Sequence, residues 1–164
     1  ITIMKYDEAS ENFQKFAEIN TGNYNAGSCY RPSGALDSQG NLHFTCDNVN
    51  GGLYYYSNTG GSWREQLLTN DGISGVLRID KKDGIHVGFI TLQQKSPAYI
   101  YSSDGNAWAK PMIANEMVSQ KYGFTASMLG GAAIHGQNPY MLVTFEDWTS
   151  DGPRVGFIMF GAEA

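Results

Sequence analysis

A three-residue ladder recurs three times in this 164-residue chain and constrains its fold more than any other feature. Each copy is an aromatic residue, a second aromatic seven residues later and an asparagine seven residues after that. The three copies are Tyr6, Phe13 and Asn20; Tyr56, Trp63 and Asn70; and Tyr101, Trp108 and Asn115. Self-similarity at a fixed period of roughly 20 to 50 residues is typical of repeat architectures, so we predict that the chain repeats one supersecondary unit.

The segments between the ladders have the pattern of paired strands. Residues 42–47 alternate between apolar and polar side chains, and a period of two is typical of a strand whose two faces differ. A turn containing Gly40 or Gly84 separates this strand from the one before it, and a polar loop and a second turn lead to two more strands. We therefore predict a meander of four antiparallel strands, named a to d, in each unit, with strand d opening at Trp63 or Trp108 and strand a of the third unit at 127–129.

The length of the unit favours one architecture. Tyr56 and Tyr101 are 45 residues apart, and a four-stranded unit of about that length is typical of a β-propeller blade. We predict an all-β, β-propeller-like fold with antiparallel four-stranded blades, about three in number, in an incomplete ring. The units are a half blade at 1–20, blades at 33–70 and 74–115, and an incomplete blade at 125–160, within one domain of residues 1–164. The alternative, a β-sandwich, does not predict a ladder that recurs in step.

The number of blades bears on assembly, because propellers usually contain at least about four. In the third unit, strand c is expected at 154–160, and residues 161–164 are too short for strand d. We expect another polypeptide to cover the two ends, either a second copy of this chain or the remainder of a longer propeller. Two copies of about three blades each would give roughly six, so a homodimer is the simplest oligomer.

Charge and hydropathy exclude two classes of partner. The formal net charge is -5 and the sequence pI is about 5.0, so the chain would repel phosphate groups and no nucleic-acid partner is expected. No apolar run approaches the ~20 residues that a transmembrane helix needs, so no membrane span is expected.

The two cysteines, Cys29 and Cys46, have no CxxC or Cys/His spacing around them. We therefore predict no metal site and no cofactor. A single disulfide and two unpaired thiols, with Cys46 half-buried in a strand, both stay open at this point.

Two turns between strands c and d resemble the Asp-box of bacterial neuraminidase repeats, whose pattern is Ser-x-Asp-x-Gly-x-Thr-Trp. In the first turn Ser57 matches and Thr59 stands in the place of Asp, and in the second turn Ser102 and Asp104 both match. Both turns reach their Trp one residue early. The resemblance implies a sialidase-like β-propeller, in a superfamily that includes sialidases, other glycan-acting enzymes, lectin-like binders and non-enzymatic scaffolds.

Residues 30–33, Tyr-Arg-Pro-Ser, are similar to the Arg-x-Pro motif in which sialidases place one arginine of a substrate-carboxylate triad, although the residue between Arg and Pro is missing. Such a triad needs three guanidinium groups around one carboxylate. The arginines of the chain are Arg31, Arg64, Arg78 and Arg154. Arg64 and Arg78 fall at strand positions where a surface arginine is expected, and no Tyr–Glu nucleophile pair is recognised by spacing. We therefore predict no complete catalytic site.

Three functions remain. The favoured one is a non-catalytic binding or recognition module with carbohydrate as the expected ligand, working as an oligomer or within a larger propeller. The others are a sialidase-like glycoside hydrolase or a fragment of one, and an assembly scaffold without a small ligand. An extracellular or cell-surface location is favoured, although the compartment stays open.

The candidate ligand-binding residues lie in connections that break the repeat, because a blade scaffold needs no particular chemistry there. In propellers the b–c and d–a connections share one face, and the b–c connection of the third unit is expected at 146–153. The candidates on that face are Tyr30, Arg31, Asp47, Asn48, Asp147 and Trp148. Aromatic rings among carboxylates and amides suit a neutral glycan through stacking and hydrogen bonds to hydroxyl groups. The alternative is that these loop aromatics pack against a partner chain.

Two recurring residue types are expected to be structural. The ladder aromatics Phe13, Trp63 and Trp108 are predicted to pack between blades, because they recur at one position. His43 and His86 share one position in strand b, and each is predicted to hydrogen-bond a neighbouring strand.

Overall fold

The chain is described by a computed structural model, which covers residues 1–19, 29–48 and 52–114, together with the backbone of the strands at 129–135, 140–149 and 152–161. These residues form thirteen β-strands and no α-helix. The strands are arranged in antiparallel sheets, two of which have four strands. The prediction of an all-β, β-propeller-like fold built from four-stranded antiparallel units is confirmed.

The first two sheets follow each other along the chain. The first sheet pairs β1 (Thr2–Asp7) with β2 (Asn12–Glu18). The second sheet consists of β3 (Tyr30–Leu36), β4 (Leu42–Asp47), β5 (Leu53–Ser57) and β6 (Arg64–Thr69). Each strand pairs with the next in the chain, as in a meander.

The third and fourth sheets repeat this order. The third sheet consists of β7 (Ile73–Ile79), β8 (Ile85–Ile90), β9 (Pro97–Ser102) and β10 (Met112–Ile113). The fourth consists of β11 (Leu129–His135), β12 (Tyr140–Thr149) and β13 (Gly152–Gly161). Strand β11 lies against β7 and β8, so the fourth sheet follows the third in space as well as in sequence.

Apolar side chains pack between successive sheets. On one face of the second sheet, Phe44, Cys46 and Tyr56 form a buried cluster with Ile19, against which Ile3 of the first sheet packs. On the opposite face, Leu53 and Tyr55 form a larger cluster with the third sheet. The members of that cluster from the third sheet are Leu77, Ile85, Val87, Phe89, Ala98 and Ile100. A strand with a period of two has side chains on both faces, so the second sheet is covered by a neighbouring sheet on each side.

The histidines of strands β4 and β8 belong to two equivalent networks. Nδ1 of His43 lies 2.5 Å from the Tyr55 hydroxyl and its Nε2 lies 3.2 Å from Oδ2 of Asp37. In the third sheet, His86 lies 2.8 Å from the Tyr99 hydroxyl and 2.9 Å from Asp80. Both tyrosines lie on the adjacent strand, which confirms that each histidine bonds a neighbouring strand.

The carboxylates of these networks also hold the a–b turns. Burial raises the pKa of Asp37, but hydrogen bonds from the Asn41 side chain, His43 and the backbone outweigh it and lower the pKa to about 2. For Asp80, burial is likewise outweighed by the hydrogen bond from His86 and by backbone N–H groups, so its pKa is also lowered. The networks are therefore structural elements that repeat with the blade.

The ladder aromatics are less buried than predicted. Trp63 packs edge-on against Phe44, and Trp108 packs edge-on against Tyr55 of the preceding sheet, but both indoles are only half-buried. Each Trp lies at the seam with the preceding sheet. The interpretation of Phe13 as a core residue is wrong, because its side chain is 62% exposed. It packs only against Tyr6 across the two-stranded first sheet, and the described residues place no other sheet over it.

Several strand limits also differ from the predicted ones. Strand d was expected to open at Trp63 and Trp108, but β6 begins at Arg64 and β10 at Met112. Pro111 has no N–H group for a ladder, which accounts for the late start of β10. Strand a of the fourth sheet was expected at 127–129, whereas β11 is Leu129–His135 and residues 127–128 lie outside the described residues. The small residues of β11 have low β-propensity, so sequence pattern missed it.

Candidate functional site

The candidate site lies at the loop face, which we define as the end of the sheets where β3 and β7 begin and β4 and β8 end. Tyr30, the first residue of β3, lies opposite Asp47, the last residue of β4. The preceding residues, Cys29 and Cys46, form a disulfide with a Cα–Cα distance of 5.3 Å. The question left open by the sequence is thereby answered: the two thiols pair, and the bond fixes the start of β3 to the end of β4.

Arg31 enters the site through an irregularity in β3. The register with β4 shifts between Tyr30 and Ser33, and Arg31 has a φ of 48°, a conformation that non-glycine residues adopt at a cost of about 1 to 3 kcal/mol. Its Nε donates to Oδ1 of Asp47 over 3.2 Å, and its Nη2 donates to Oδ2. This is a two-bond guanidinium–carboxylate pair, which fixes the plane of the guanidinium.

The two partners differ in exposure. The side chain of Asp47 is 0% exposed and that of Arg31 is 49% exposed. A buried carboxylate requires a partner, because an unpaired charge in the interior is strongly destabilising. Arg31 therefore presents a cation whose inner edge is held by Asp47 and whose outer edge faces solvent.

Ser74 connects this pair to the third sheet. It occupies the position in β7 that corresponds to Arg31 in β3, at a similar register shift and with a φ of 55°. Its backbone N–H donates to Oδ1 of Asp47 over 3.2 Å. Its Oγ is buried and has no hydrogen-bond partner among the described residues, in a side chain that is 6% exposed. The carboxylate of Asp47 thus bridges two sheets, beside a buried hydroxyl that has no partner among the described residues.

Two further predicted residues lie at the same end. The Tyr30 side chain is 48% exposed. The backbone N–H of Asn48 donates to the Gly52 carbonyl over 2.9 Å, and the Gly52 N–H donates to Oδ1 of Asn48 over 2.8 Å. Asn48 therefore closes the b–c connection, while Tyr30 offers an aromatic surface.

The other two predicted site residues have a different backbone setting from the expected one. Asp147 and Trp148 were placed in a loop covering 146–153, but β12 continues to Thr149 and pairs with β13 as far as Gly152. Aromatic and β-branched residues favour extended pairing, which accounts for the longer hairpin. Their side chains lie outside the described residues, so the structure brings together four of the six candidates.

The described arginines do not converge. Arg64 lies at the other end of the second sheet, where its Nη1 donates to Asn106 of the next sheet. Arg78 donates to the carbonyl of Leu77 over 2.7 Å. Within the described part of the chain, Arg31 is thus the single arginine side chain at the loop face. No group of three or more potential metal ligands occurs among the described residues.

The c–d turns form local networks at the end opposite the loop face. Ser102 Oγ accepts the N–H of Gly105 over 2.8 Å, and Asp104 accepts the N–H of Asn106 over 2.8 Å. The backbone and side-chain N–H groups of Asn106 lower the pKa of Asp104 to about 2. Trp108 then donates from Nε1 to Gln66 of the preceding sheet over 3.0 Å. These turns tie one sheet to the previous one; their resemblance to the Asp-box stays a prediction.

Comparison with known proteins reveals a distant likeness of fold. No protein-family model matches the chain, and no curated protein matches it. Among solved structures, the chain is similar to a fucose lectin from Kordia zhangzhouensis, whose structure is a complex with methyl-fucoside. The two sequences are 13% identical, the match covers 81% of this chain and 98% of that chain, and the TM-score is 0.50. At this identity the likeness concerns the fold alone. None of the helices in the described residues is long and apolar enough to cross a membrane.

Proposed function

We propose that this chain is a non-catalytic carbohydrate-binding module whose site is the loop face between the second and third sheets. The observation that carries the proposal is the arrangement of Arg31, Asp47 and Ser74. A rigid guanidinium, a buried carboxylate and an unpartnered hydroxyl lie together at an exposed end of two sheets. The fold likeness to a lectin supports the same class of function.

The chemistry of these groups suits sugar hydroxyls. The outer N–H groups of Arg31, whose side chain is 49% exposed, can donate to hydroxyl or ring oxygens. Tyr30 supplies a partly exposed aromatic ring, and aromatic faces pack against the C–H surface of pyranose rings. A few convergent polar groups beside an apolar surface are typical of small-molecule sites.

The hydrolase alternative needs groups that the described loop face lacks. Arg64 and Arg78 have other partners and positions. A single guanidinium cannot hold a sugar carboxylate as a triad does. Binding without turnover is therefore the function we propose, and cleavage of a fluorogenic glycoside by the purified chain would favour the hydrolase instead.

The disulfide supports an extracellular or cell-surface location. Disulfides form and persist in oxidising compartments and are rare in the cytosol of most organisms. Cys46 is 0% exposed and Cys29 is half-buried, so the bond is held inside the second sheet.

Replacement of Arg31 tests the site directly. Arg31→Ala is expected to weaken binding of the best ligand from a glycan array by about tenfold to a hundredfold, because hydrogen bonds to a charged group contribute about 1.5 to 3 kcal/mol. Arg31→Lys keeps the charge but loses the two-bond geometry, so its glycan affinity should lie between those of the unchanged chain and Arg31→Ala. Isothermal titration calorimetry with that glycan measures the affinities.

A cation far from the loop face provides the control. Lys82 is exposed in the a–b turn at the opposite end of the third sheet, and Lys82→Ala should bind like the unchanged chain. Equal affinity of the Arg31→Ala and Lys82→Ala variants would remove the loop face from the site. Failure to bind any glycan on the array would favour the scaffold.

We also propose that the module works as an oligomer, of which a dimer of this chain is the simplest form, or within a longer propeller. Met4, Tyr6 and Phe13 of the first sheet are 49%, 49% and 62% exposed, and apolar groups clustered on a surface often mark an interface. Light scattering at micromolar concentration is expected to give at least twice the 18.0 kDa mass of one chain. A stable monomer of the isolated chain would contradict the homo-oligomer.

A further inference from the structure

A cavity lies far from the loop face, in the seam between the first and second sheets. It has a volume of about 330 Å³ and is lined by Ile3, Met4, Lys5, Phe16, Leu36, Gly40 and Leu42. The residues from β3 and β4 lie at the end of these strands opposite Arg31 and Asp47. The cavity is therefore separate from the proposed glycan site, and we call it the seam groove.

The seam groove is open and apolar. Met4 is 49% exposed, Phe16 48% and Leu36 60%, so three large apolar side chains of one concave surface are in contact with solvent. A Cβ atom built on Gly40 would meet no heavy atom within 4 Å, which leaves the wall of the groove free at that point. Cavities of roughly 300 to 1,000 Å³ with apolar walls are typical of small-molecule sites.

One charge accompanies this apolar surface. Lys5 is the only charged residue that lines the groove. Hydrogen bonds, chiefly from the Ser10 side chain, lower the pKa of Asp7, and the Lys5 ammonium adds to this effect. Lys5 forms no hydrogen bond or ion pair with any residue of the described part of the chain. A cation at the side of an otherwise apolar cavity is complementary to a ligand that has an apolar body and one anionic group.

We propose that the seam groove binds a small amphipathic anion, with the apolar body against Met4, Phe16 and Leu36 and the acidic group near Lys5. Medium-chain fatty acids and aromatic carboxylates or sulfonates share this chemistry. Such a ligand fills a cavity of this size, and it covers apolar surface that water otherwise contacts. The site does not depend on the proposed glycan site.

The test uses two probes on the folded full-length chain. 8-Anilinonaphthalene-1-sulfonate is expected to bind with a rise in fluorescence, and decanoate is expected to displace it. Lys5→Gln should weaken decanoate binding by about two- to fivefold, the effect of a partly exposed charge pair. It should leave the affinity for decanol, which has the same chain without the charge, unchanged. Displacement by decanoate but not by an aromatic carboxylate would assign the site to acyl chains, and the reverse to aromatic acids.

A matched pair of exposed residues shows where the probe binds. Leu36 is 60% exposed and lines the groove, whereas Leu67 is 43% exposed and lies outside it. Leu36→Asp is expected to weaken probe binding by about tenfold or more, and Leu67→Asp is expected to retain it. Circular dichroism verifies that both variants fold, and Met4→Glu replaces Leu36→Asp if that variant does not.

Three results would overturn the proposal. One is equal probe affinity in Leu36→Asp and the unchanged chain, which would place the probe elsewhere. Another is decanoate binding that is indifferent to Lys5→Gln. The third is conversion of an oligomer into a monomer by Leu36→Asp, with no probe bound to the oligomer, because a second copy of the chain would then cover the groove. Glycan affinity measured in the same variants separates this result from failure of the proposed function.

Discussion

Removal of the disulfide, by Cys29→Ala together with Cys46→Ala, is expected to lower the free energy of unfolding by about 3 kcal/mol. The two cysteines are 17 residues apart in sequence, and a cross-link that closes a loop of that length restricts the unfolded chain by about this amount. Urea denaturation of the oxidised chain and the double variant measures the difference.

The disulfide is also expected to support the loop face. Cys29 precedes Tyr30 and Arg31, and Cys46 precedes Asp47, so the bond holds both strands that carry the guanidinium–carboxylate pair. The double variant should therefore bind glycan more weakly than the oxidised chain, even where it remains folded. The two effects can be separated, because affinity is measured well below the urea midpoint.

A reducing agent supplies the control for this prediction. The sequence has 2 cysteines, so dithiothreitol should destabilise the unchanged chain toward the double variant and leave the double variant unaffected. Equal urea midpoints for the oxidised chain and the double variant would show that the loop between the cysteines is already restricted in the unfolded state.

The fold could be predicted from the sequence because the repeat contains two signals, the alternation of side chains along a strand and the length of the repeating unit. Alternation along 42–47 identified β4, and the structure places Phe44 and Cys46 toward one neighbouring sheet and Thr45 and Asp47 on the opposite face. The period near 45 residues identified the unit. Both signals reflect local geometry, the pleat of a strand and the length of a meander, which the sequence carries directly.

The sequence did not predict every pair of corresponding positions in the second and third sheets, because the number of residues between corresponding positions changes from one strand to the next. His43 and His86 are 43 residues apart, whereas Tyr55 and Tyr99, which bond them, are 44 apart. The strand register shows the same difference of one residue. His43 lies opposite Ser57, 14 residues later, whereas His86 lies opposite Tyr101, 15 residues later. A difference of one residue in a connection moves the ladder positions of one blade out of step with those of the next.

This change in spacing explains why Ser74 was missed as a site residue. Ser74-Gly75 has the same residues as Ser33-Gly34, but pairing with the histidine strands equates Arg31 with Ser74 and Ala35 with Arg78. The a–b hairpins of the two sheets are a constant 43 residues apart, as Asp37 and Asp80 show. The same separation joins Arg31 to Ser74, so it would have identified Ser74 as a site residue.

The candidate site was predicted in part. Arg31 and Asp47 were identified because they lie in connections that share one face of a propeller, and the structure joins them. The Cys29–Cys46 pairing was not predicted, because two cysteines without a motif can be paired or free, and only the register of β3 and β4 decides.

Gly105→Ala is expected to be the most destabilising glycine substitution in the c–d turns, by about 3 kcal/mol or more. Gly105 has a φ of 72°, which costs alanine about 1 to 2 kcal/mol. A Cβ atom there would also lie within van der Waals overlap of the Tyr55 hydroxyl and 3.0 Å from Ile85 Cδ1. Tyr55 is 0% exposed and bonds His43, so it cannot move aside without disturbing the seam between the second and third sheets, and such overpacking costs about 1 to 3 kcal/mol.

Gly60 is the matched control, because it occupies the same place in the preceding c–d turn, three residues after Ser57 as Gly105 is three after Ser102. Its φ is 79°, yet a Cβ atom there would meet nothing within 4 Å. Gly60→Ala should therefore cost only the backbone contribution of about 1 to 2 kcal/mol. The difference between the two urea midpoints, converted to free energy, isolates the contact of one blade with the next. Equal losses would mean that the seam around Tyr55 relaxes freely, and the stacking of these two sheets would then not depend on the turn.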